Sequence, residues 1–151
     1  MKSLIVIYSK TGNTLSVAQK IKKVTDFDLE EVKAQSDDPN IAKPELIYKP
    51  NVKPYNHLVF ASPVHGFSLS RIMHAYLKQL PDLTGKTVDL FITHYFPYAW
   101  LGGNHTLKQM KSLVEDKGGR VMSMTSINWK TKKRKDVIMK MIENYKAEAK
   151  I

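Results

Sequence analysis

Along the chain, short all-apolar runs alternate with segments whose apolar residues recur every three or four positions. Ser3–Tyr8 is apolar at both alternating phases, which predicts a strand buried on both faces of a parallel sheet. Asn13–Val24 repeats Val17, Ala18, Ile21 and Val24 at helical spacing, with Lys20, Lys22 and Lys23 off the stripe. Phe27–Val32 reads as a short edge strand of weaker period. His57–Ala61 and Thr87–Thr93, rich in β-branched and aromatic residues, read as further strands. Between them, Ile72, Met73, Tyr76, Leu77 and Leu80 form one helical stripe that ends before Pro81. Asn104 is placed to cap a helix carrying Leu107, Met110, Leu113 and Val114, and Gly118 and Gly119 stop it. Arg120–Ile127 is the last predicted strand. Val137, Ile138, Met141, Ile142 and Tyr145 make the last helical stripe.

One connection departs from this alternation. Residues 35–56 hold Pro39, Pro44, Pro50 and Pro54 in a polar setting, which predicts an irregular crossover with at most one or two helical turns. No repeat, low-complexity tract or domain boundary interrupts the chain, so residues 1–151 are expected to form one domain. Five strands interspersed with helices argue a doubly wound α/β sheet. Sheets of that class bind ligands beyond the carboxyl ends of their strands, which directs attention to loops 9–14, 61–71 and 94–104.

Composition narrows the chemistry. The chain has no cysteine, which removes disulfides, thiolate metal sites, iron–sulfur clusters and a cysteine nucleophile. No apolar run approaches the roughly 20 residues of a membrane span, and Met1-Lys2-Ser3 leads into the first strand without a cleavage-like site. A soluble cytoplasmic protein without a metal site is therefore expected. Lys plus Arg number 24 against 14 acidic residues, a formal net charge of +10, which leaves polyanions, acidic proteins and anionic ligands open as partners.

The first loop, Ser9-Lys10-Thr11-Gly12-Asn13-Thr14, follows a strong strand and opens a helix. Three hydroxyls, an amide and a glycine at a helix N-terminus suit a phosphate, because outward-pointing N–H groups and the helix dipole favour an anion. It is neither a Walker loop nor a Gly-x-Gly-x-x-Gly fingerprint. The second loop runs Ser62-Pro63-Val64-His65-Gly66-Phe67 and on to Arg71. His65 and Phe67 suit the flanks of a flat ligand; the alternative is an inward-packed Phe67 and a solvated His65. The third loop holds His94, then Tyr95, Phe96, Tyr98 and Trp100 (four aromatics in six residues), then Gly102 and Gly103. Such rings cover a flat ligand, a protein interface or the core.

Taken together, these loops resemble those of the flavodoxin family over roughly residues 3–149. The Ser9–Thr14 segment is similar to that family's phosphate loop for flavin mononucleotide (FMN), the Ser62–Ser68 segment to its flavin loop after the third strand, and the aromatic loop to its second flavin loop. The resemblance implies a three-layer α/β/α flavodoxin-like fold with a five-stranded parallel sheet in order 2-1-3-4-5. It implies FMN as cofactor, with Ser9, Lys10, Thr11, Gly12, Asn13 and Thr14 on the phosphate. Ser62, Pro63, Val64, His65, Gly66 and Phe67 would lie on one side of the ring, and His94, Tyr95, Phe96, Tyr98, Trp100, Gly102 and Gly103 on the other. Tyr98 is the leading candidate to stack on the flavin, with Tyr95 and Trp100 as rivals. Three features depart from the family: the proline-rich 35–56 stretch stands where its second helix falls, Phe67 and His65 replace a stacking tryptophan, and the net charge has the opposite sign to acidic flavodoxins.

The function implied is electron transfer through bound FMN between a reductase and a redox acceptor, with no side chain acting as acid or base, so no catalytic residue is named. The alternatives are an FMN-dependent reductase of quinones or other small molecules using a nicotinamide nucleotide, and a flavin-free module binding an acidic protein or nucleic acid. No carboxylate occurs between Glu45 and Asp82 or between Asp89 and Glu115, so the second and third loops lie in acid-free stretches. With His65, His94 and His105 expected at this rim, the partner expected is an acidic redox protein or a nicotinamide-nucleotide reductant. The cluster Lys130-Thr131-Lys132-Lys133-Arg134-Lys135 reads as a solvated turn, with nucleic acid disfavoured. The helix after it is expected to start nearer Asp136, since cations oppose the dipole of a helix start. Trp129 beside it is expected to pack.

Overall fold

Every residue of β1 (Ser3–Ile7) is buried, because the strand lies between β2 (Asp28–Glu31) and β5 (His57–His65) and pairs in parallel with both. The structure is a computed structural model and describes residues 2–66, 68–95 and 103–149. The two-residue period of a strand sends alternate side chains to opposite faces. Leu4 and Val6 therefore join one core, and Ile5 and Ile7 the other. The same sorting divides Leu58 and Phe60 from Val59 and Ala61 in β5. In β7 (Thr87–His94) it divides Val88, Leu90 and Ile92 from Phe91. With β8 (Arg120–Asn128) at the far edge, the parallel order is β2-β1-β5-β7-β8, which is the expected 2-1-3-4-5.

Helices cover both faces. Val17, Ala18 and Ile21 of α1 (Asn13–Val24) meet Ile138, Met141 and Tyr145 of α4 (Arg134–Ala149) over the Ile5–Ile7 face. Ile72, Met73, Tyr76 and Leu77 of α2 (Arg71–Lys78) and Leu107, Met110 and Val114 of α3 (Gly103–Asp116) close the other. Trp129 is partly buried against the first of these cores, as expected. Among the described residues, no helix is long and apolar enough to cross a membrane, and no group of three or more His, Cys, Asp or Glu side chains is placed to hold a metal ion.

The crossover contains no helix, within the expectation of at most one or two helical turns, but it is not wholly irregular. In it β3 (Lys33–Ala34) pairs antiparallel with β4 (Leu46–Tyr48), and the chain then reaches β5 through a turn in which Tyr55 N donates to the Val52 carbonyl at 3.1 Å. The prolines lack amide donors and fix φ, so extended backbone held by side chains replaces a helical ladder. Val52 is 1% exposed, and its burial contributes roughly 1.5–3 kcal/mol. The Tyr76 hydroxyl donates to the Pro50 carbonyl at 2.7 Å and the Tyr55 hydroxyl to Asp28 at 2.6 Å, while Tyr48 bonds Glu30.

Two helix starts also differ from expectation. Asn104 lies inside α3, which is described from Gly103, so it is not its cap. The last helix begins at Arg134, two residues before Asp136. The Arg134 guanidinium turns back to sit 4.6 Å from the Trp129 ring centroid and donates to the Trp129 carbonyl at 2.8 Å. Those contacts offset the unfavourable charge at the helix start.

A largely buried polar chain ties the amino-terminal halves of four strands, β1, β5, β7 and β8. Ser3 Oγ lies 2.9 Å from His57 Nδ1, His57 Nε2 lies 2.8 Å from Asp89 Oδ2, and Ser123 donates to Asp89 Oδ1 at 2.6 Å. Burial pushes the Asp89 carboxyl up. The bonds from His57 and Ser123, the His57 charge and a bond from Tyr145 outweigh it, so Asp89 titrates below the usual carboxylate range.

Candidate functional site at the carboxyl ends of the strands

The carboxyl ends of β1, β5 and β7 meet on one rim, and the 9–14 loop occupies its centre. Gly12 has φ +94° and precedes α1 without a side-chain cap, so the turn depends on the left-handed conformation that glycine adopts without strain. Ser9 Oγ closes the loop by accepting from Gly12 N and Leu15 N, each at 3.2 Å. In doing so it satisfies two amides near the helix start and retains its own O–H as a donor. Lys10 and Thr11 are exposed, whereas Thr14 is buried.

Two bonds fix this loop to the end of β7. The Asn13 side-chain amide donates to the Tyr95 hydroxyl at 2.7 Å, and Thr14 Oγ1 lies 2.9 Å from Thr93 Oγ1 in a buried pair. The first and third loops are thus one connected unit. Thr93 was not among the expected site residues. Its signal was a hydroxyl on the same phase as Phe91, just after the apolar run Leu90–Ile92.

Two expected loop segments continue their strands. Ser62, Pro63, Val64 and His65 belong to β5, and a tight hairpin returns the chain through β6 (Ser68–Leu69), pairing His65 with Ser68. Ser62 is fully buried, and its hydroxyl bonds the Pro63 carbonyl and Ser70 Oγ, each at 2.9 Å. Ser70 in turn caps α2 by accepting from Met73 N. Ser62 therefore holds the hairpin to α2. Gly66 takes φ +55° at the turn. His94 ends β7, 3% exposed, with Nε2 2.8 Å from Ser126 Oγ. It is expected at the rim and sits buried just beneath it. Gly103 lies against it: a Cβ there would meet Ser126 Oγ at 3.1 Å and His94 Nε2 at 3.6 Å. That glycine permits close packing of α3 on β7 and β8. Phe67, Phe96, Tyr98, Trp100 and Gly102 lie outside the described residues, and of the four aromatics of the third loop only Tyr95 is described, 48% exposed.

The electrostatics of the rim are cationic. His65 is half-buried, and its burial together with the Lys10 charge lowers its pKa, favouring the neutral ring. His105 is exposed at the start of α3. Lys130, Lys132, Lys133 and Lys135 are exposed after β8, on the same end of the sheet.

No protein-family model matches the chain, and no curated protein matches it in sequence. Solved structures do. A protein from Bacteroides uniformis provisionally assigned as a flavoprotein superposes with a TM-score of 0.71 at 18% identity, covering 93% of this chain and 97% of that one. An oxidised flavodoxin 2 from Bacillus cereus gives 0.68 at 18% identity, covering 98% and 99%. A flavoprotein from Lactobacillus acidophilus in complex with FMN gives 0.64 at 21% identity, covering 83% and 92%. Together with the strand order and the rim-centred loop at the start of α1, these likenesses show that the chain has the flavodoxin-like fold.

Proposed function

We propose that this chain binds FMN and passes electrons between a reductase and a redox acceptor. The observation that carries this reading is the 9–14 loop at the N-terminus of α1, joined to Thr93 and Tyr95 at the end of β7. A phosphate monoester fits that loop by donor chemistry: an exposed Thr11 hydroxyl, the Ser9 O–H, the Lys10 ammonium, a left-handed Gly12 and a helix start, with no carboxylate from 9 to 14. The Lactobacillus acidophilus neighbour, solved with FMN, supports the choice of cofactor.

Bound FMN supplies the redox-active ring. The chain's own residues bind and orient it. Asn13 and Tyr95 hold the phosphate loop against the third loop, Ser62 fixes the hairpin that would flank the ring, and Lys10 sets a positive field. No side chain is assigned a proton-transfer role. The expected partner is an acidic redox protein or a nicotinamide-nucleotide reductant, drawn by the cationic rim.

A fluorescence titration of FMN into the flavin-free chain tests the reading. Quenching that saturates near one equivalent is the expected result, and its absence overturns it. Stepwise reduction then separates the roles: an accumulating one-electron state marks a carrier, while rapid two-electron turnover with a nicotinamide nucleotide marks a reductase.

A further inference from the structure

A second cleft opens on the rim between the β5–β6 hairpin and the crossover, flanking the phosphate loop at Lys10. Its volume is ≈ 520 Å³, within the usual range for small-ligand sites. Lys10 enters it from the loop after β1, Arg71 from the first turn of α2, His65 and Ser68 from the hairpin, and Asn40 from the crossover. None of the described residues lining it is a carboxylate. We propose that this cleft is a second anion site, which takes the phosphate monoester group of a small molecule.

Three observations carry the assignment. The first is convergence of donors from separate elements. Arg71 Nη1 donates to the Asn40 carbonyl at 3.0 Å, which holds the guanidinium across the cleft and uses one of its five N–H groups. Lys10 faces it from the other strand end. A tetrahedral phosphate offers oxygens toward Lys10, Arg71 and the hairpin together, whereas a planar carboxylate presents only two.

The second is the disposition of the nearest acids. Asp37 and Asp38 precede Asn40 in the crossover. Asp38 accepts the Asn40 amide at 2.9 Å, so its carboxylate is engaged in its own turn. The crossover thus contributes a carbonyl to hold Arg71 while Asp38 serves the local turn; Asp37, whose charge reaches Tyr8, is the acid that Lys10 and Arg71 must outweigh.

The third lies under the cleft. The Tyr8 ring meets His65 edge-on, with centroids 6.1 Å apart and planes at 85°. The Tyr8 hydroxyl is buried and has no hydrogen-bond partner among the described residues. Burial, reinforced by the Asp37 charge, pushes its pKa up to about 12, so it remains a neutral donor beside His65. An unsatisfied buried hydroxyl is costly to keep, and Tyr8, which does not itself line the cleft, bears on it through the His65 ring.

Lys10 is shared with the proposed FMN phosphate loop, whereas Arg71, Ser68 and Asn40 belong to the cleft alone, and the site reports through His65. Lys10 disfavours the imidazolium. An anion between Lys10 and Arg71 cancels that field and raises the His65 pKa. Lys10, Arg71, Tyr8 and Asp37 are the charged or titratable groups that act there.

The test is a titration of inorganic phosphate followed by the ring resonances of His65 in the FMN-loaded chain, or in the flavin-free chain if FMN does not bind. The expected result is a saturable shift with a raised His65 pKa. Arg71→Gln, at an exposed position, is expected to weaken binding at least tenfold, while Lys130→Gln leaves it unchanged. Adenosine monophosphate and a 2′-phosphorylated nicotinamide nucleotide identify the source. Tighter binding than inorganic phosphate assigns the site to nucleotides, and equal binding to free phosphate. Shifts confined to residues 9–14, a non-saturating response, equal binding by Arg71→Gln, or equal binding of succinate would each overturn the proposal. Failure of FMN to bind is read separately by fluorescence and leaves this measurement intact.

Discussion

The hydroxyls of Thr14 and Thr93 lie 2.9 Å apart in a buried pair that pins the first turn of α1 to the end of β7. Neither hydroxyl is near solvent, so removing one leaves the other unsatisfied. Thr14→Val or Thr93→Val alone is expected to destabilise the chain by about 1–3 kcal/mol, and the double variant to recover much of that loss. Denaturant unfolding of all four proteins checks it. Each single variant should also weaken FMN binding, because the phosphate loop loses an anchor.

Gly12 gives a second expectation. A Cβ at this position meets nothing within 4 Å, so the cost of substitution is backbone strain alone. At φ +94°, Gly12→Ala is expected to cost about 1–3 kcal/mol, and Gly12→Asn less. Thermal unfolding with and without FMN measures both, and equal stability of the two variants would contradict the strain argument.

Asp89 carries a pH dependence. Its folded pKa lies below its unfolded one, near 3.9, so its contribution is fully present above pH ~4 and is lost as pH falls through the folded value. Asp89→Asn is expected to be less stable at neutral pH, and the gap from the natural chain should close on acidification below pH ~4. A constant gap from pH 7 to pH 2 would show that the bonds to His57 and Ser123 do not depend on the charge.

The strands of this fold were legible because parallel pairing buries both faces, so β1 reads as an uninterrupted apolar run. What was not legible was where buried polar residues find their partners. Ser62 and His94 sit past the apolar stretches of β5 and β7 and read as loop. They continue their strands by pairing with Ile92 and Asn128, while Ser70 and Ser126 bond their buried side chains, and partners at such separations leave no local pattern. Asp89 stands between Val88 and Leu90 on the same phase as Phe91. A lone acid on an inward phase was the available signal for the His57 network. The crossover hid its ribbon because strands of two and three residues are too short for a period. The place of the 9–14 loop, by contrast, was readable, since six consecutive residues join the end of β1 to the start of α1.

The two carboxylate-free loops of the rim lead to the last prediction. Anionic groups beside a flavin oppose a second negative charge on its ring. Here loops 61–71 and 94–104 contain no carboxylate, Lys10 and Arg71 stand on the rim, and Lys130 to Lys135 follow β8 at the same end. One unit charge about 10 Å from the ring contributes roughly 1–2 kcal/mol at an effective dielectric near 20. For a one-electron couple, about 1.4 kcal/mol corresponds to about 59 mV. The second one-electron reduction of bound FMN is therefore expected to be less negative than in acidic flavodoxins by tens of millivolts or more. Lys10→Glu should move it the other way. Spectroelectrochemistry at low ionic strength reads both values, and raising the salt should shrink the difference, because the charges are exposed and screened over about 10 Å at 0.1 M. A second reduction as low as that of the acidic proteins would mean that contacts to the ring, and not the charge of the rim, set the potential.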